Sequence, residues 1–343
     1  MQEHAAFMRR CFQLAEYGRG RVEPNPVVGS VVVCNNEIVS EGWHQAFGGP
    51  HAEVHAIQCI PDAISKENCT LYVNLEPCSH HGKTPPCADL IIRSGIKKVV
   101  VAMRDPNPIV AGKGLEHLRN AGVEIVQDVL RNEALALNRP FITFHLYKRP
   151  MVVLKWAQTA DGYIGRQGQR NIWISGPEAR TMVHLWRTRL MAILVGRKTI
   201  ETDDPQLTAR LVNGRQPVRI VLGCPEKREI PYRVMDQSSR TWVFPEVSPA
   251  LANVANQNPK DLIGDMLKRA FSENIQSILV EGGSDTLNRF LQKGVWDEAR
   301  VFVSPERWGD GIPAPLMDVP HDHIEQVGKD QLLIYRNQAV KAG

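Results

Sequence analysis

Short apolar runs rich in Val, Ile and Leu alternate with segments of helical period along most of this chain, and that rhythm restricts the fold more than any other feature. TLYVNLEP (70–77), KKVVVAM (97–103) and VEIVQDV (123–129) read as strands, and CADLIIRSG (87–95) and GKGLEHLRNAG (112–122) between them read as helices. Elements in that order predict an α/β sheet covered on both faces. Upstream, Phe7, Met8, Cys11, Phe12 and Ala15 mark a helix ending at Gly18. VVGSVVVC (27–34) and EIVSEGW (37–43) flank Asn35 and Asn36 as the strands of a hairpin would, and AEVHAIQCI is helical by pattern.

After Lys-Arg-Pro at 148–150 a second α/β series begins. Its strands are MVVLKWAQT, MAILVG (191–196), PVRIVLG (217–223), TWVFP (241–245), SILVEGG (277–283) and EARVFVSP. Its helices start near SGPEAR (175–180) and include DLIGDMLKRAF and TLNRFLQKG. A length of 343 residues fits about two domains, here 1–146 and 147–343, with no internal repeat. A net charge of +4, from 41 basic and 37 acidic residues spread along the chain, makes no case for nucleic acid or membrane partners. The charged N-terminus has no signal-peptide core and no stretch approaches a membrane span, so a cytoplasmic protein is expected. Seven irregularly spaced cysteines fit thiols in a reducing compartment better than a disulfide framework.

HAEVHA (51–56) follows Pro50, which places His51 at a helix N-terminus. His51 and His55 are neighbours on one helix face, whereas Glu53 is offset by about 200°. At a first turn, however, residues 51 and 53 can still point to a partner beyond the helix end. Alone, the cluster reads equally well as two packed or solvated histidines. EPCSHHGKTPPC (76–87) adds Cys78 directly after a strand and Cys87 directly before a helix, where helix dipoles and N–H groups favour thiolates. One imidazole and two thiolates match a catalytic Zn²⁺ with an open fourth position; closure by His80 or His81 would make the site structural instead.

In the second series no G-x-G-x-x-G occurs. ILVEGGSDTLNRF (278–290) instead runs from an apolar strand through two glycines into a helix, which suits either a phosphate approaching backbone N–H groups or simply a tight turn.

H-A-E, then P-C and a later Cys, resembles the zinc deaminases of the cytidine type, in which the glutamate is acid and base and not a ligand. The inserted SHHGKTPP, with PNPVVG (24–29), is similar to the deaminase half of the bacterial bifunctional riboflavin-biosynthesis deaminase–reductases. LKWAQTADG (154–162), NIWISGPEAR (171–180) and VGRKTIETDDPQLTAR (195–210) resemble the reductase half of the same family. That resemblance implies a cytidine-deaminase-like three-layer α/β/α domain followed by a dihydrofolate-reductase-like α/β domain. In the first it implies one Zn²⁺ on His51, Cys78 and Cys87, Glu53 as the catalytic acid and base, and Asn25 and His44 holding substrate. In the second it implies NADPH against Ala157, Trp173, Thr199, Asp203, Gly283 and Ser284, and substrate against Lys155, Asn171, Arg187, Leu207, Arg210 and Glu281. The residue types suit these roles: Arg187 and Arg210 as a phosphate clamp, Asp203 as a hydroxyl acceptor between the ligands, and Arg197 or Lys198 for the 2′-phosphate of NADPH.

The implied activity is zinc-dependent deamination of 2,5-diamino-6-(5-phosphoribosylamino)pyrimidin-4(3H)-one, then NADPH-dependent reduction of the ribosyl group to ribityl. Small phosphorylated pyrimidines are the implied partners, with a homo-oligomer, dimer or tetramer. Gly223-Cys224 and VSPERWGDGIPAP (303–315) depart from the family's usual wording. A nucleic-acid base deaminase would instead favour P-C-x-x-C and a basic, aromatic-rich surface. A non-enzymatic zinc protein would close the metal with His80.

Overall fold

A computed structural model of the chain describes residues 2–79, 85–108, 111–170, 172–226, 228–244 and 261–337. Two compact units are present, Met1–Lys148 and Arg149–Gly343. His80, His81 and Asn171 lie outside the described residues.

The first unit has a five-stranded sheet of β1 (Gly29–Cys34), β2 (Glu37–Trp43), β3 (Cys69–Val73), β4 (Lys98–Val101) and β5 (Glu124–Val126), in the order β2-β1-β3-β4-β5. β1 runs antiparallel to β2 and β3, and β3, β4 and β5 are parallel. The β1–β2 turn is set by Asn35 and Asn36 at φ 52° and 64°, left-handed values that match the twist of a two-residue hairpin. Around the sheet lie α1 (Gln2–Glu16), α2 (Ala52–Gln58), α3 (Cys87–Ser94), α4 (Lys113–Asn120), α5 (Arg131–Leu137) and α6 (Arg139–Tyr147). Side chains alternate along the strands, so Val32, Leu71 and Val99 pack on α2, α3 and α4 through Ile57, Ile91 and Leu118. Val31, Val33 and Val100 face the other way, onto Met8 of α1, Ala134 of α5 and Ile142 of α6. The result is a three-layer α/β/α unit. α2 lies so close to β2 that a Cβ at Gly42 would come within 2.5 Å of Ala52 O and Ala56 N, which fixes where the HAE segment enters the sheet.

The helical pair α5–α6 is absent from the sequence reading, which passes from the strand at 123–129 to Lys-Arg-Pro at 148–150. Pro140 sits in the first turn of α6, where its missing N–H is not needed.

The second unit is an eight-stranded sheet, β10-β9-β8-β11-β6-β12-β15-β14. Its strands are β6 (Met151–Thr159), β8 (Ala192–Gly196), β9 (Val218–Leu222), β10 (Thr241–Phe244), β11 (Ser277–Val280), β12 (Glu298–Ser304), β14 (His323–Val327) and β15 (Asp330–Arg336). β7 (Tyr163–Gly165) and β13 (Ile312–Pro313) form a separate two-stranded ribbon. The strands from β10 to β12 are mutually parallel, and β15 is antiparallel to both β12 and β14. Helices α7 (Pro177–Arg189), α8 (Arg197–Asp203), α9 (Leu262–Ser272) and α10 (Ser284–Lys293) complete it. One face buries Leu154, Leu194 and Ile220 against Met266 of α9 and Phe290 of α10. The opposite face buries Val153, Leu279 and Phe302 against Val183 and Trp186 of α7. The β14–β15 hairpin was not anticipated, because the first four residues of β14 are exposed and give no apolar run. Among the described residues, no helix is long and apolar enough to cross a membrane.

Candidate active sites

In the first unit, His51 is the N-cap of α2, Cys78 lies in the loop after β3, and Cys87 opens α3. Their donor atoms lie within 4.8 Å of one another. His51 Nδ1 is 3.3 Å from Cys87 Sγ and 3.6 Å from Cys78 Sγ, and the Cys87 N–H donates to Cys78 Sγ at 3.4 Å. With Zn–N and Zn–S bonds of ordinary length, a tetrahedral ion would separate an imidazole nitrogen from a thiolate by roughly 3.5 Å, so this donor set fits zinc. The hydrogen bond with Cys87 draws the Cys78 thiol well below its usual range, and the same bond holds Cys87 up. A dication would take the remaining proton from the pair.

Glu53 lies in the first turn of α2 and is only 3% exposed, and it is not in the converging triad. Burial pushes its carboxyl above the usual range, against the nearby His51. Beside it, His44 Nδ1 is 2.9 Å from the Pro50 carbonyl, which can only accept, so Nδ1 carries the hydrogen. Burial lowers the His44 pKa and keeps it neutral; Nε2 then accepts from Asn25 Nδ2 at 3.0 Å. The His44 and His51 rings meet edge to face at 5.4 Å.

Two acidic residues here escaped the sequence reading. Glu76, buried, accepts from the N–H groups of Asp105 (3.2 Å), Gly112 (2.9 Å), Gly114 (3.0 Å) and Leu115 (3.4 Å), tying the loop after β4 to the segment that carries Cys78. Asp105 is pushed up to about 7 by burial, with Glu76 and Cys78 adding to the shift. The only prior signal was the E-P-C wording, which does not say where a carboxylate points.

In the second unit a cavity of about 340 Å³ opens at the carboxyl ends of β8 and β11. Lys155 and Ala157 from β6, Trp173 from the loop before α7, and Thr199 and Asp203 from α8 all line it. Arg187, Leu207, Arg210, Glu281 and Gly283 close it. Ser284 is not among its lining residues; its Oγ donates to Pro313 O at 2.9 Å. Neither Arg197 nor Lys198 lines the cavity, and Cys224 is exposed away from it.

Arg187 departs from the expected clamp. Its Nε and Nη2 donate to the two oxygens of Glu281 at 2.8 and 2.9 Å, and Nη1 donates to Thr208 O at 3.0 Å. Lys155 Nζ stands 3.9 Å from the same carboxylate. Burial pushes Glu281 up, but Arg187 and Lys155 outweigh it and hold the carboxyl below its usual range. Trp173 is 63% exposed, not a core residue, and Arg180 lies over its ring at 4.8 Å.

The glycine pair divides its work. A Cβ on Gly282 would come within 2.7 Å of the Thr286 Cβ, so glycine is required there for packing. Gly283 has room, caps α10 without a side-chain hydrogen bond, and donates its N–H to Thr199 Oγ1 at 3.1 Å. The first turn of α10 is therefore open to an anion, which fits a dinucleotide phosphate. His184 and Arg233 also line the cavity and were not singled out from sequence. His184 precedes Arg187 by three residues on α7, a helical spacing that would have flagged it.

Comparison with known proteins gives these two sites their family. Residues 1–103 match the cytidine and deoxycytidylate deaminase zinc-binding region, and residues 150–329 match the RibD C-terminal domain. The chain is similar to the riboflavin biosynthesis protein RibD of Aquifex aeolicus, 37% identical over 96% of this chain and 97% of that protein. It is also similar to RibD of Actinobacillus pleuropneumoniae, 40% identical over 88% of this chain and 84% of that one. The crystal structure of a diaminohydroxyphosphoribosylaminopyrimidine deaminase/5-amino-6-(5-phosphoribosylamino)uracil reductase from Thermotoga maritima superposes with a TM-score of 0.86 at 39% identity, covering 98% of this chain and 99% of that one. With a zinc-binding deaminase region followed by a RibD reductase region, the chain belongs to the RibD family of bifunctional deaminase–reductases of riboflavin biosynthesis.

Proposed function

We propose that residues 1–146 deaminate 2,5-diamino-6-(5-phosphoribosylamino)pyrimidin-4(3H)-one and that residues 147–343 reduce the ribosyl group of the resulting 5-amino-6-(5-phosphoribosylamino)uracil to ribityl with NADPH. The observation that carries this reading is the convergence of His51, Cys78 and Cys87 beside a buried glutamate that stays off the triad. Zinc on those three residues supplies the Lewis acidity that makes water a nucleophile near neutral pH. Glu53, its proton affinity raised by burial, would carry two protons in turn: one from the attacking water to the ring nitrogen, and a second from the newly added hydroxyl to the amino group, which leaves as ammonia. His44 fixes the Asn25 side-chain amide through Nε2, which leaves the Asn25 carbonyl oxygen to accept from the pyrimidine.

In the second unit NADPH supplies the hydride and the protein orients it. Ala157, Trp173, Thr199, Asp203 and Gly283 hold the cofactor, with Ser284 contributing its backbone N–H, since its hydroxyl is engaged with Pro313. Lys155, Arg187, Leu207, Arg210 and Glu281, together with Asn171, meet the phosphorylated substrate. Arg187 acts by fixing the Glu281 carboxylate. A cytoplasmic homo-oligomer, dimer or tetramer, completes the proposal.

The test supplies the diaminopyrimidine substrate with and without NADPH and follows ammonia and cofactor absorbance together. Ammonia release in both cases, with NADPH oxidised only after it, is expected. Ammonia without any oxidation of NADPH would leave only the first half of the reading.

A further inference from the structure

The second-unit cavity holds more positive charge than its carboxylates balance. Its carboxylates are Asp203 and Glu281, against Lys155, Arg180, Arg187, Arg210 and Arg233, and Glu281 is taken up by Arg187 and Lys155. Arg210 and Arg233 also line the cavity, and among the described residues neither guanidinium has an anionic partner. Arg210 is placed through its backbone, whose N–H donates to His184 Nδ1 at 2.9 Å. Arg233 starts the short 3-10 turn Arg233–Met235, and its backbone N–H donates to Asp204 Oδ1 at 2.8 Å. The other oxygen of Asp204 receives Arg228 Nη2 at 2.7 Å, so that carboxylate is already occupied. Burial lowers the proton affinity of Arg210, and repulsion from Arg187 and Arg233 adds to it, outweighing the attraction of Glu281, which makes no ion pair with it. Two unpaired guanidiniums at one cavity repel until an anion joins them, and their planar forks match a phosphate oxygen by oxygen.

We propose that Arg233 and Arg210 together form a subsite for a phosphate monoester dianion in this cavity. The inference rests on the reading above that Arg210 meets the phosphorylated substrate, and it gives Arg233 the place in the clamp that Arg187 gives up to Glu281. The phosphate belongs either to the substrate ribose or to the 2′ position of NADPH.

Zinc-loaded full-length R233Q, R233K and R210Q are compared with the parent protein in the reductase reaction, starting from the deaminated substrate. KM is measured for that substrate, for NADPH and for NADH. R233Q is expected to raise one KM roughly tenfold while kcat stays within about twofold, and R233K to recover part of the loss. A rise confined to the substrate assigns the ribose phosphate; a rise for NADPH and not NADH assigns the 2′-phosphate. Inorganic phosphate should inhibit the parent competitively and R233Q more weakly. Unchanged KM values and unchanged phosphate inhibition in R233Q, with R210Q impaired, overturn the subsite and leave the reading of Arg210 standing. If R210Q is also unimpaired, the substrate reading fails as well.

Discussion

The two active sites differ in how much chain each needs. The zinc triad and its glutamate come from two short stretches, 51–53 and 78–87: His51 is an N-cap, Glu53 lies in the first turn that follows, Cys87 starts a helix, and Cys78 lies in the loop after β3, which ends at Val73 rather than running up to the cysteine. The second-unit cavity draws residues from β6, the loop before α7, α7, α8, the segment 205–210 after it and the turn after β11. A metal recruits its ligands by bond chemistry, so the sequence pattern and the site nearly coincide. A cofactor cavity is recruited by shape and field, so its members are spread over the sheet and change role with their neighbours, as Arg187 does. One consequence is that damage to the first site should be near-total and confined to one activity, whereas damage to the second should be graded.

The largest expected effect is that of Glu53→Gln. Ammonia release should fall by about 10²- to 10⁴-fold, while metal analysis still finds one zinc per chain and reduction of the deaminated substrate proceeds at the parent rate. Loss of zinc along with activity would put Glu53 among the ligands and erase the contrast. Next is Arg219→Met. Arg219 on β9 is fully buried, and its guanidinium donates to Thr241 Oγ1 at 2.9 Å, Asp236 Oδ1 at 2.7 Å and three backbone carbonyls. Its removal should cost the second unit about 3 kcal/mol, seen by calorimetry as a lowered transition, with zinc content and deamination kept. A smaller effect is expected from Trp173→Ala: roughly a tenfold higher KM for NADPH, with kcat and stability little changed, because the ring is largely exposed. Equal KM values would remove Trp173 from the cofactor site.

The smallest effect concerns pH. His184 accepts the Arg210 N–H, and burial, with Arg187 and Arg210 adding, pushes its pKa down to about 4. The unfolded chain, with an ordinary histidine near 6.5, binds the extra proton first as pH falls. His184 therefore favours the folded state fully above about 6.5, and that contribution is lost as pH drops toward 4. Urea midpoints of the second unit should decline between pH 7 and pH 5 more steeply in the parent than in His184→Gln; equal slopes would assign the acid sensitivity elsewhere.

Legibility in the sequence follows the same division. The Asn35-Asn36 turn, the alternating strands and the triad all depend on residues close in the chain, and the turn chemistry and ligand types announce them. The α5–α6 pair did not show, because proline reads as a break until it is known to lie in a first turn. The β14–β15 hairpin did not show because exposed edge strands carry little apolar signal. Arg219 carries no sign of burial in the run PVRIVLG; only the return of residues 236–241 over β9 buries it. The engagement of Arg187 with Glu281, 94 residues away, is likewise a product of tertiary packing.

The most direct test removes the metal and reads both activities separately. Protein dialysed against a chelator is assayed for ammonia release from the diaminopyrimidine substrate and for NADPH oxidation with the deaminated substrate. The account predicts that deamination disappears and returns with added zinc, while reduction continues unchanged. Loss of reduction in step with zinc would contradict it.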